Sequence, residues 1–209
     1  MVPVKRSRDE TNAATRAALI THGTQLFAER GYSETSVDDV AAAAGMTKGA
    51  VYHQFATKAA LFEAIFHAHE VEVHRRLATA LDTTADAERG ARAALEVFLA
   101  ACCEPGYGTI VFRDGPIALG WIRWRECEID YAYAFITRVL TALEEQGRLA
   151  QPLTETQPTV VLGMLSSAGQ LLGQAQSTEQ HRLRNELADL FDQTLAALAI
   201  TPPRPLDRP

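Results

Sequence analysis

Apolar residues recur at intervals of three and four along almost the whole chain, and the alternation typical of strands is rare. This spacing gathers apolar side chains on one face of a helix, so it predicts an all-α protein. Glycines, prolines and polar runs divide the chain into about nine helical segments. The first ends at Gly31, and the others are expected near 36–43, 47–55, 57–81, 91–103, from 115 onward, 129–146, 157–176 and 179–199.

The size of the chain fits a small N-terminal domain joined to a larger helical body. It has 209 residues, of which 47% are hydrophobic, enough for a sizeable core. We place the first domain at 1–58 with a flexible arm at 1–10, the second at 59–200, and a proline-rich tail at 201–209. The charged N-terminus does not resemble a signal peptide, and no apolar run approaches the roughly 18–20 residues of a membrane span. We therefore expect a cytoplasmic protein without membrane contact.

Charge is unevenly distributed between these two parts. Residues 1–60 carry seven basic and six acidic residues, for a net charge of +1. The remainder carries 13 basic and 20 acidic residues, for a net charge of −7. A nonspecific architectural DNA-binding protein, the main alternative within DNA binding, needs a broadly basic surface, which this body opposes.

Two short segments joined by a tight turn have the proportions of a helix-turn-helix. Ser36 starts the first as its N-cap, with Asp39 at the capping-box position, and Gly45 suits the turn. In the second, Val51 and Phe55 are four residues apart and face inward. In this motif the second helix lies in the DNA major groove. From the residues alone, a plain helical hairpin with a hydrated polar side remains an alternative.

A longer stretch carries a specific resemblance. Residues 16–62, RAALITHGTQLFAERGYSETSVDDVAAAAGMTKGAVYHQFATKAALF, resemble the DNA-binding region of the tetracycline-repressor (TetR) family of transcriptional regulators. The resemblance implies a three-helix DNA-binding head, a larger helical domain for ligand binding and dimerisation, and a homodimer on a palindromic operator. His22 and Gly23 stand where the family usually has alanines, a departure that concerns packing.

The resemblance also implies DNA-contacting positions. It places Thr35 and Ser36 by a phosphate, Thr47, Lys48 and Gly49 at the start of the recognition helix, Tyr52 and His53 against phosphate or base, and Lys58 on the backbone. Lys5, Arg6 and Arg8 of the arm are either further phosphate contacts or a solvated charge run.

The last two helices are the expected dimer surface, because small residues there allow close helix approach and leucines supply apolar area. The residues assigned to it are Leu162, Leu165, Ser166, Gly169, Leu172, Leu187, Phe191 and Leu195. An intramolecular hairpin is the alternative reading of the residues, and the resemblance favours contact between subunits.

The resemblance places an effector cavity among the aromatic residues of the middle helices, although on sequence alone aromatic residues at helical spacing more often belong to an ordinary core. The lining residues expected on this basis are Phe98, Phe112, Trp121, Trp124, Tyr131 and Phe135.

No cofactor or metal is predicted. His67, Glu70 and His74 are spaced three and four apart on one helix face, but no fourth metal ligand is evident. An enzyme is the rival from another class, and none of its usual motifs, such as GxSxG or HExxH, occurs in the sequence. The expected function is a transcriptional repressor that a small-molecule effector releases from its operator.

Overall fold

The computed structural model describes residues 8–198, and their side chains from 9 to 196. Within this part of the chain there are ten α-helices, two short π-helices and no strand, which confirms the all-α prediction. The elements are α1 Arg8–Arg30, α2 Val37–Ala43, α3 Lys48–Gln54, α4 Lys58–Leu81, α5 Ala87–Cys102, π1 Gly108–Arg113, α6 Gly115–Leu119, α7 Trp121–Glu128, π2 Ile129–Tyr133, α8 Ala134–Glu145, α9 Thr156–Gln174 and α10 Ser177–Leu198.

The ends of the first helices follow from local sequence. Gly31 has a φ of 86°, a left-handed conformation that ends α1. The Ser36 hydroxyl accepts from the Asp39 amide, and the Asp39 carboxylate accepts from the Ser36 amide, so the predicted capping box is confirmed. Thr47 and Thr57 cap α3 and α4 in the same way, each accepting from the amide three residues later. These caps fix the bounds of the short helices.

The N-terminal helices and the body share one hydrophobic core. The rings of Phe27 in α1, Tyr32 and Phe62 in α4 lie 5.0–5.9 Å apart. A Cβ on Gly23 would lie 2.7 Å from Ile65 Cδ1, so glycine allows α1 to lie close to α4. The predicted domain boundary at 58 therefore coincides with the first residue of α4, a helix that packs against both parts.

The centre of the body departs from the predicted segments. Asp86 accepts from the Arg89 amide and starts α5 four residues earlier than expected. Gly120, with a φ of 79°, divides one predicted helix into α6 and α7. At the start of π1, a Cβ on Gly108 would lie 2.0 Å from the Cys102 carbonyl, so only glycine fits there. Close backbone approach thus sets the path of π1 between α5 and α9.

Some predictions lie outside the described residues. These are the contacts of the arm at Lys5, Arg6 and the Arg8 side chain, and the loose tail at 201–209. Within residues 8–198, no helix combines the length and the hydropathy that crossing a bilayer requires.

Candidate nucleic-acid interface and ligand cavity

The exposed side of α3 carries the polar side chains that sequence analysis predicted there. Lys48 and His53 are exposed, and Tyr52 is 46% exposed. Val51 and Phe55 are buried at 1% and 4%, which confirms their inward orientation. The exposed side of α3 is therefore rich in hydrogen-bond donors, and its inner side is apolar.

Contacts with α1 hold α3 in place. The Gln54 amide donates to the Asn12 side chain. The Arg16 guanidinium lies 4.9 Å from the centre of the Phe55 ring, at cation–π distance. Both contacts fix the C-terminal end of α3 and leave its N-terminal turn, with Thr47, Lys48 and Gly49, exposed.

Lys48 forms an ion pair across the turn. Its Nζ lies 2.7 Å from Asp38 Oδ2 on α2, and both side chains are more than half exposed. The hydrogen bond that Lys48 donates to Asp38, and then the charge of Asp38, raise the pKa of Lys48. Exposed pairs of this kind contribute little to stability. The ammonium can therefore leave Asp38 for a DNA phosphate at small cost.

The structure corrects the expected role of the Thr35 side chain. Thr35 is 1% exposed, and its hydroxyl donates to the carbonyls of Gly31 and, less closely, Leu26. That hydroxyl stabilises the loop between α1 and α2 and is not presented at the surface. Ser36, beside it, is exposed, although its hydroxyl already takes part in the capping box.

Lys58 is half-buried at the start of α4. Its Nζ donates to the carbonyls of Tyr32 and Thr35, at 2.7 and 2.9 Å, and lies 4.1 Å from the centre of the Tyr32 ring. An ammonium has three N–H donors, and these bonds use two. Lys58 thus ties α4 to the loop before α2, and a phosphate there would compete with these carbonyls.

A largely apolar cavity lies in the body. Its volume is about 140 Å³, comparable to an engineered cavity of about 150 Å³ that holds benzene. Three of the predicted aromatic residues line it, namely Phe98, Phe112 and Phe135. Leucines and alanines of α5, α8 and α9 complete most of the wall. The cavity has the size and the apolar lining of a binding site for one ring.

One wall of the cavity is polar, which sequence analysis missed. Glu70, His74, Tyr107, Glu128 and Ser166 line it, and both glutamates are at least 94% buried. Sequence analysis followed the aromatic residues. The signal that could have identified this wall is a charged residue on a buried helix face, since Glu70 continues the apolar series of α4 from Phe66 to Leu77.

The polar wall contains two carboxylates, each with one basic partner. Glu70 Oε2 lies 3.3 Å from His74 Nδ1 and accepts from the Tyr107 hydroxyl at 3.4 Å. Glu128 Oε2 lies 3.0 Å from Arg125 Nη1, which also donates to Ser166.

The pKa values of this wall reflect burial and pairing. Burial raises the pKa of Glu128, despite the opposing bonds from Ser166 and Arg125. Burial alone would lower the pKa of His74, but the hydrogen bond and the charge of Glu70 outweigh it and raise that pKa. Burial also raises the pKa of Tyr107 well above its usual value, so Tyr107 remains a neutral donor.

Three predicted cavity residues lie elsewhere. Trp121 is 61% exposed on the surface of α7. Trp124 is fully buried in the core, where its Nε1 donates to the Val111 carbonyl at 2.8 Å. The Tyr131 hydroxyl lies 3.0 Å from His67 Nδ1 on the side of α4. Helical spacing could not separate core, surface and cavity positions, because aromatic residues occur in all three.

Most residues of the predicted dimer surface are already covered within a single chain. Within one chain, Leu162, Ser166, Gly169, Leu172 and Phe191 are already buried. The half-buried Leu165 and Leu195 line the cavity. Only Leu187, together with the inner Phe191, borders an open groove between α9 and α10.

The other side of α9 is apolar and exposed. Val160 and Leu171 of α9 are 55% and 47% exposed, and Leu190 of α10 is 51% exposed. Gly163 and Ser167 lie between them on the same side of α9. We call Val160, Gly163, Ser167, Leu171 and Leu190 the outer face. It combines the exposed leucines and small residues that close contact with another helix requires.

The three residues whose spacing could suit a metal, His67, Glu70 and His74, do not converge. His74 pairs with Glu70, whereas His67 faces Tyr131 and Glu63. Among the described residues, the group whose ligand atoms come together is Glu63, His67 and Cys127, within 4.8 Å of one another. Arg123 Nε already lies 2.8 Å from Glu63 Oε1. A cation would have to compete with this guanidinium for the carboxylate.

Family models match both parts of the chain. The model of bacterial regulatory proteins of the tetR family matches residues 19–65. The model of the tetracyclin repressor-like C-terminal domain matches residues 89–198, which is more than half of the chain. Together they include α3, most of the cavity wall and the outer face.

Proteins similar to this chain include named regulators of transcription. The transcriptional repressor BepR of Brucella suis is 28% identical over 172 residues, 78% of this chain and 81% of BepR. The transposon Tn10 TetC protein of Escherichia coli is 23% identical over 145 residues, 69% of this chain and 73% of TetC. The crystal structure of a TetR-family transcriptional regulator from Pectobacterium atrosepticum superposes with a TM-score of 0.79 at 27% identity, covering 94% of this chain and 100% of that one.

Proposed function

The chain belongs to the tetR family of bacterial regulatory proteins, and from this premise we propose that it represses transcription as a homodimer on a palindromic operator. The family makes it a DNA-binding transcriptional regulator. Repression, the dimer and release by a small-molecule effector are the parts that we add. In this role the protein works with the chromosome in the cytoplasm.

The observation that carries the proposal is the exposed face of α3. Lys48, Tyr52 and His53 project from a helix that Val51 and Phe55 anchor in the core. A helix held in this way can enter the major groove with its donors toward phosphates and base edges. Ser36, Thr47, Gly49 and Lys58 surround it and complete the proposed contact surface, whereas Thr35 is buried beneath it.

A second copy of the chain is the proposed partner of the outer face. One helix-turn-helix buries too little surface for strong sequence discrimination, so two heads related by a two-fold axis are needed. The α9 helix is apolar on two sides, and only one side is covered within the chain. Leu171 and Leu190 would be buried against their symmetry mates, because a two-fold interface pairs each patch with itself.

The proposed effector acts from the cavity through π1. Phe112 of π1 lines the cavity, and Asp114 follows two residues later. Asp114 Oδ2 accepts from the Tyr32 amide at 2.6 Å, in the loop between α1 and α2. An effector that displaces Phe112 therefore shifts the segment that holds this loop. The two recognition helices then fit their half-sites poorly, and the operator is released.

Operator binding tests the proposal through the Lys48–Asp38 pair. A duplex carrying the inverted repeat nearest the gene is titrated in a gel shift at several salt concentrations. Lys48→Ala removes one phosphate-binding ammonium from each protomer, so operator affinity falls. The slope of log K against log salt also falls, by about 0.9 for each phosphate that the variant no longer neutralises. Tyr52→Ala also weakens binding, while both variants remain folded dimers.

Asp38→Asn is the matched control, because it removes the opposite charge of the same ion pair. It should strengthen operator binding, since a negative charge near the phosphates is removed. Arg182→Ala changes the net charge as Lys48→Ala does but lies on exposed α10, and it should leave the affinity unchanged. Equally weakened binding in all these variants, or no preference for any palindrome, would contradict the proposal.

A further inference from the structure

The charges that face the cavity are unbalanced in sign. Glu70 and Glu128 are lining residues, and among the described residues His74 is the only basic one that lines the cavity with them. Within the described part of the chain, no lysine or arginine lines the cavity. The guanidinium of Arg125, which pairs with Glu128, is 30% exposed and is not part of the lining. A guest in the cavity therefore meets two carboxylates at short range.

Because they are buried, these two carboxylates discriminate between cationic and anionic guests. Both residues are at least 94% buried, and outside the polar wall the lining is apolar except for Thr194. Charges interact strongly in such a poorly polarisable environment, so an anionic guest beside Glu70 and Glu128 is strongly disfavoured. A guest with a protonated nitrogen forms charge-assisted hydrogen bonds instead, which are about twice as strong as neutral ones.

The hydrogen bonds that Glu70 and Glu128 already make leave acceptor positions free for such a guest. Glu128 keeps a raised pKa although Arg125 and Ser166 bind it, because desolvation outweighs their combined effect. Each carboxylate has about four lone-pair positions, of which the described hydrogen bonds occupy only some. An added cation therefore stabilises an ionised Glu128 that its present neighbours compensate incompletely.

The size of the cavity limits the rest of the guest. A volume of about 140 Å³ matches one aromatic ring rather than a long chain or a fused polycycle. Phe98 and Phe112, whose ring centroids lie 6.0 Å apart in an edge-to-face arrangement, provide two roughly perpendicular apolar surfaces. We propose that the effector cavity is specific for a small organic cation, a single apolar ring that carries a protonated amine or amidine.

The inference rests on the proposed function only in treating this guest as the effector. Three probes of equal size test it, namely benzylamine, benzyl alcohol and benzoate, which are cationic, neutral and anionic at neutral pH. Calorimetric titration of the full chain should give the tightest binding for benzylamine, about tenfold over benzyl alcohol, and none for benzoate at millimolar concentration.

Two variants assign the preference to the glutamates. Glu128→Gln is nearly isosteric and should weaken benzylamine about tenfold while changing benzyl alcohol by less than about twofold. The same change leaves Arg125 without its carboxylate, so benzoate binding should improve. Glu70→Gln should weaken benzylamine as well. A structural defect would weaken benzylamine and benzyl alcohol together and would not improve benzoate binding.

Glu126→Gln is the control, because Glu126 lies on the same helix with 57% of its side chain exposed and outside the cavity lining. It should change none of the three affinities. Equal affinity for the amine and the alcohol, or failure of benzylamine to bind at millimolar concentration, overturns the inference.

The same preparations separate this inference from the proposed function. Operator binding is measured without any probe in the wild type and in each glutamate variant. Normal operator binding without an amine preference overturns only the ligand class. Absence of operator binding overturns the proposed function, whereas an amine preference in the cavity would stand without it.

Discussion

Replacement of Asp114 by alanine tests the connection between the head and the body. Asp114 is 6% exposed, and its carboxylate accepts from the Tyr32 amide at 2.6 Å and from Arg113 Nε at 2.9 Å. Alanine removes both acceptors. The Arg113 side chain is 41% exposed and stays hydrated, whereas the half-buried Tyr32 amide loses its partner. The bond to Tyr32 therefore dominates the expected loss of stability.

The magnitude follows from the type of bond. Hydrogen bonds to charged groups contribute about 1.5–3 kcal/mol, so we expect Asp114→Ala to lower the free energy of unfolding by about 2 kcal/mol. For a chain of this length, the melting temperature falls by about 2–4 °C per kcal/mol, which gives a decrease of about 4–8 °C. Asp114→Asn keeps a neutral acceptor and should lower the free energy of unfolding by about half as much.

Urea unfolding followed by tryptophan fluorescence measures this decrease. Trp124 is fully buried next to π1, so its emission reports unfolding of the region that holds Asp114. All variants are compared at one protein concentration, because the stability of a dimer depends on concentration. Glu126→Ala removes an exposed carboxylate and should change stability by less than about 0.5 kcal/mol. If Asp114→Ala is as stable as this control, the Asp114–Tyr32 bond does not hold the head to the body.

Two further predictions concern the outer face and the polar wall. Leu171→Asp places a charge in the proposed interface and should give monomers in light scattering after size exclusion. Ile122→Asp is the control, because Ile122 is 76% exposed on α7, and it should remain a dimer. If the Leu171→Asp variant is still a dimer, the interface does not lie on the outer face. His74 has a raised pKa when folded, so its protonated form adds stability below its unfolded pKa of about 6.5, and this is lost as pH rises through the folded value. The stability difference between wild type and His74→Gln should be larger near pH 6 than near pH 8, and an equal difference at both would contradict the Glu70–His74 pairing.

The head could be predicted because its signals are local. The capping box joins residues three apart, and the caps at Thr47 and Thr57 each involve one turn of helix. Val51 and Phe55 occupy one helical face whatever the rest of the chain does. The exception is Thr35, whose burial depends on its hydrogen bonds to Gly31 and Leu26 across the loop. Such an interaction leaves no periodic trace in the sequence.

The body was harder to predict because its helices are apolar on more than one side. In α9, Leu162 and Ser166 face inward, whereas Gly163 and Ser167, one residue later in each case, lie on the outer face. One residue turns a helix by about 100°, so an error of this size exchanges core for surface. Composition alone could not decide which apolar side packs within the chain. The packing of π1 against α9 decides it.

The path from cavity to head sets a limit on what an effector can achieve. Every residue from Gly108 to Phe112 is buried, so π1 has no room to change shape locally. A displaced Phe112 therefore moves Asp114 with it. A ligand changes operator affinity only by its difference in affinity between the two arrangements. If the ligand-bound arrangement gives up the Asp114–Tyr32 bond, about 2 kcal/mol is exchanged per protomer, which corresponds to about 30-fold in an equilibrium constant for each protomer. A guest that fills the cavity and leaves Phe112 in place should therefore bind without inducing release, because it leaves the loop before α2 where the operator requires it.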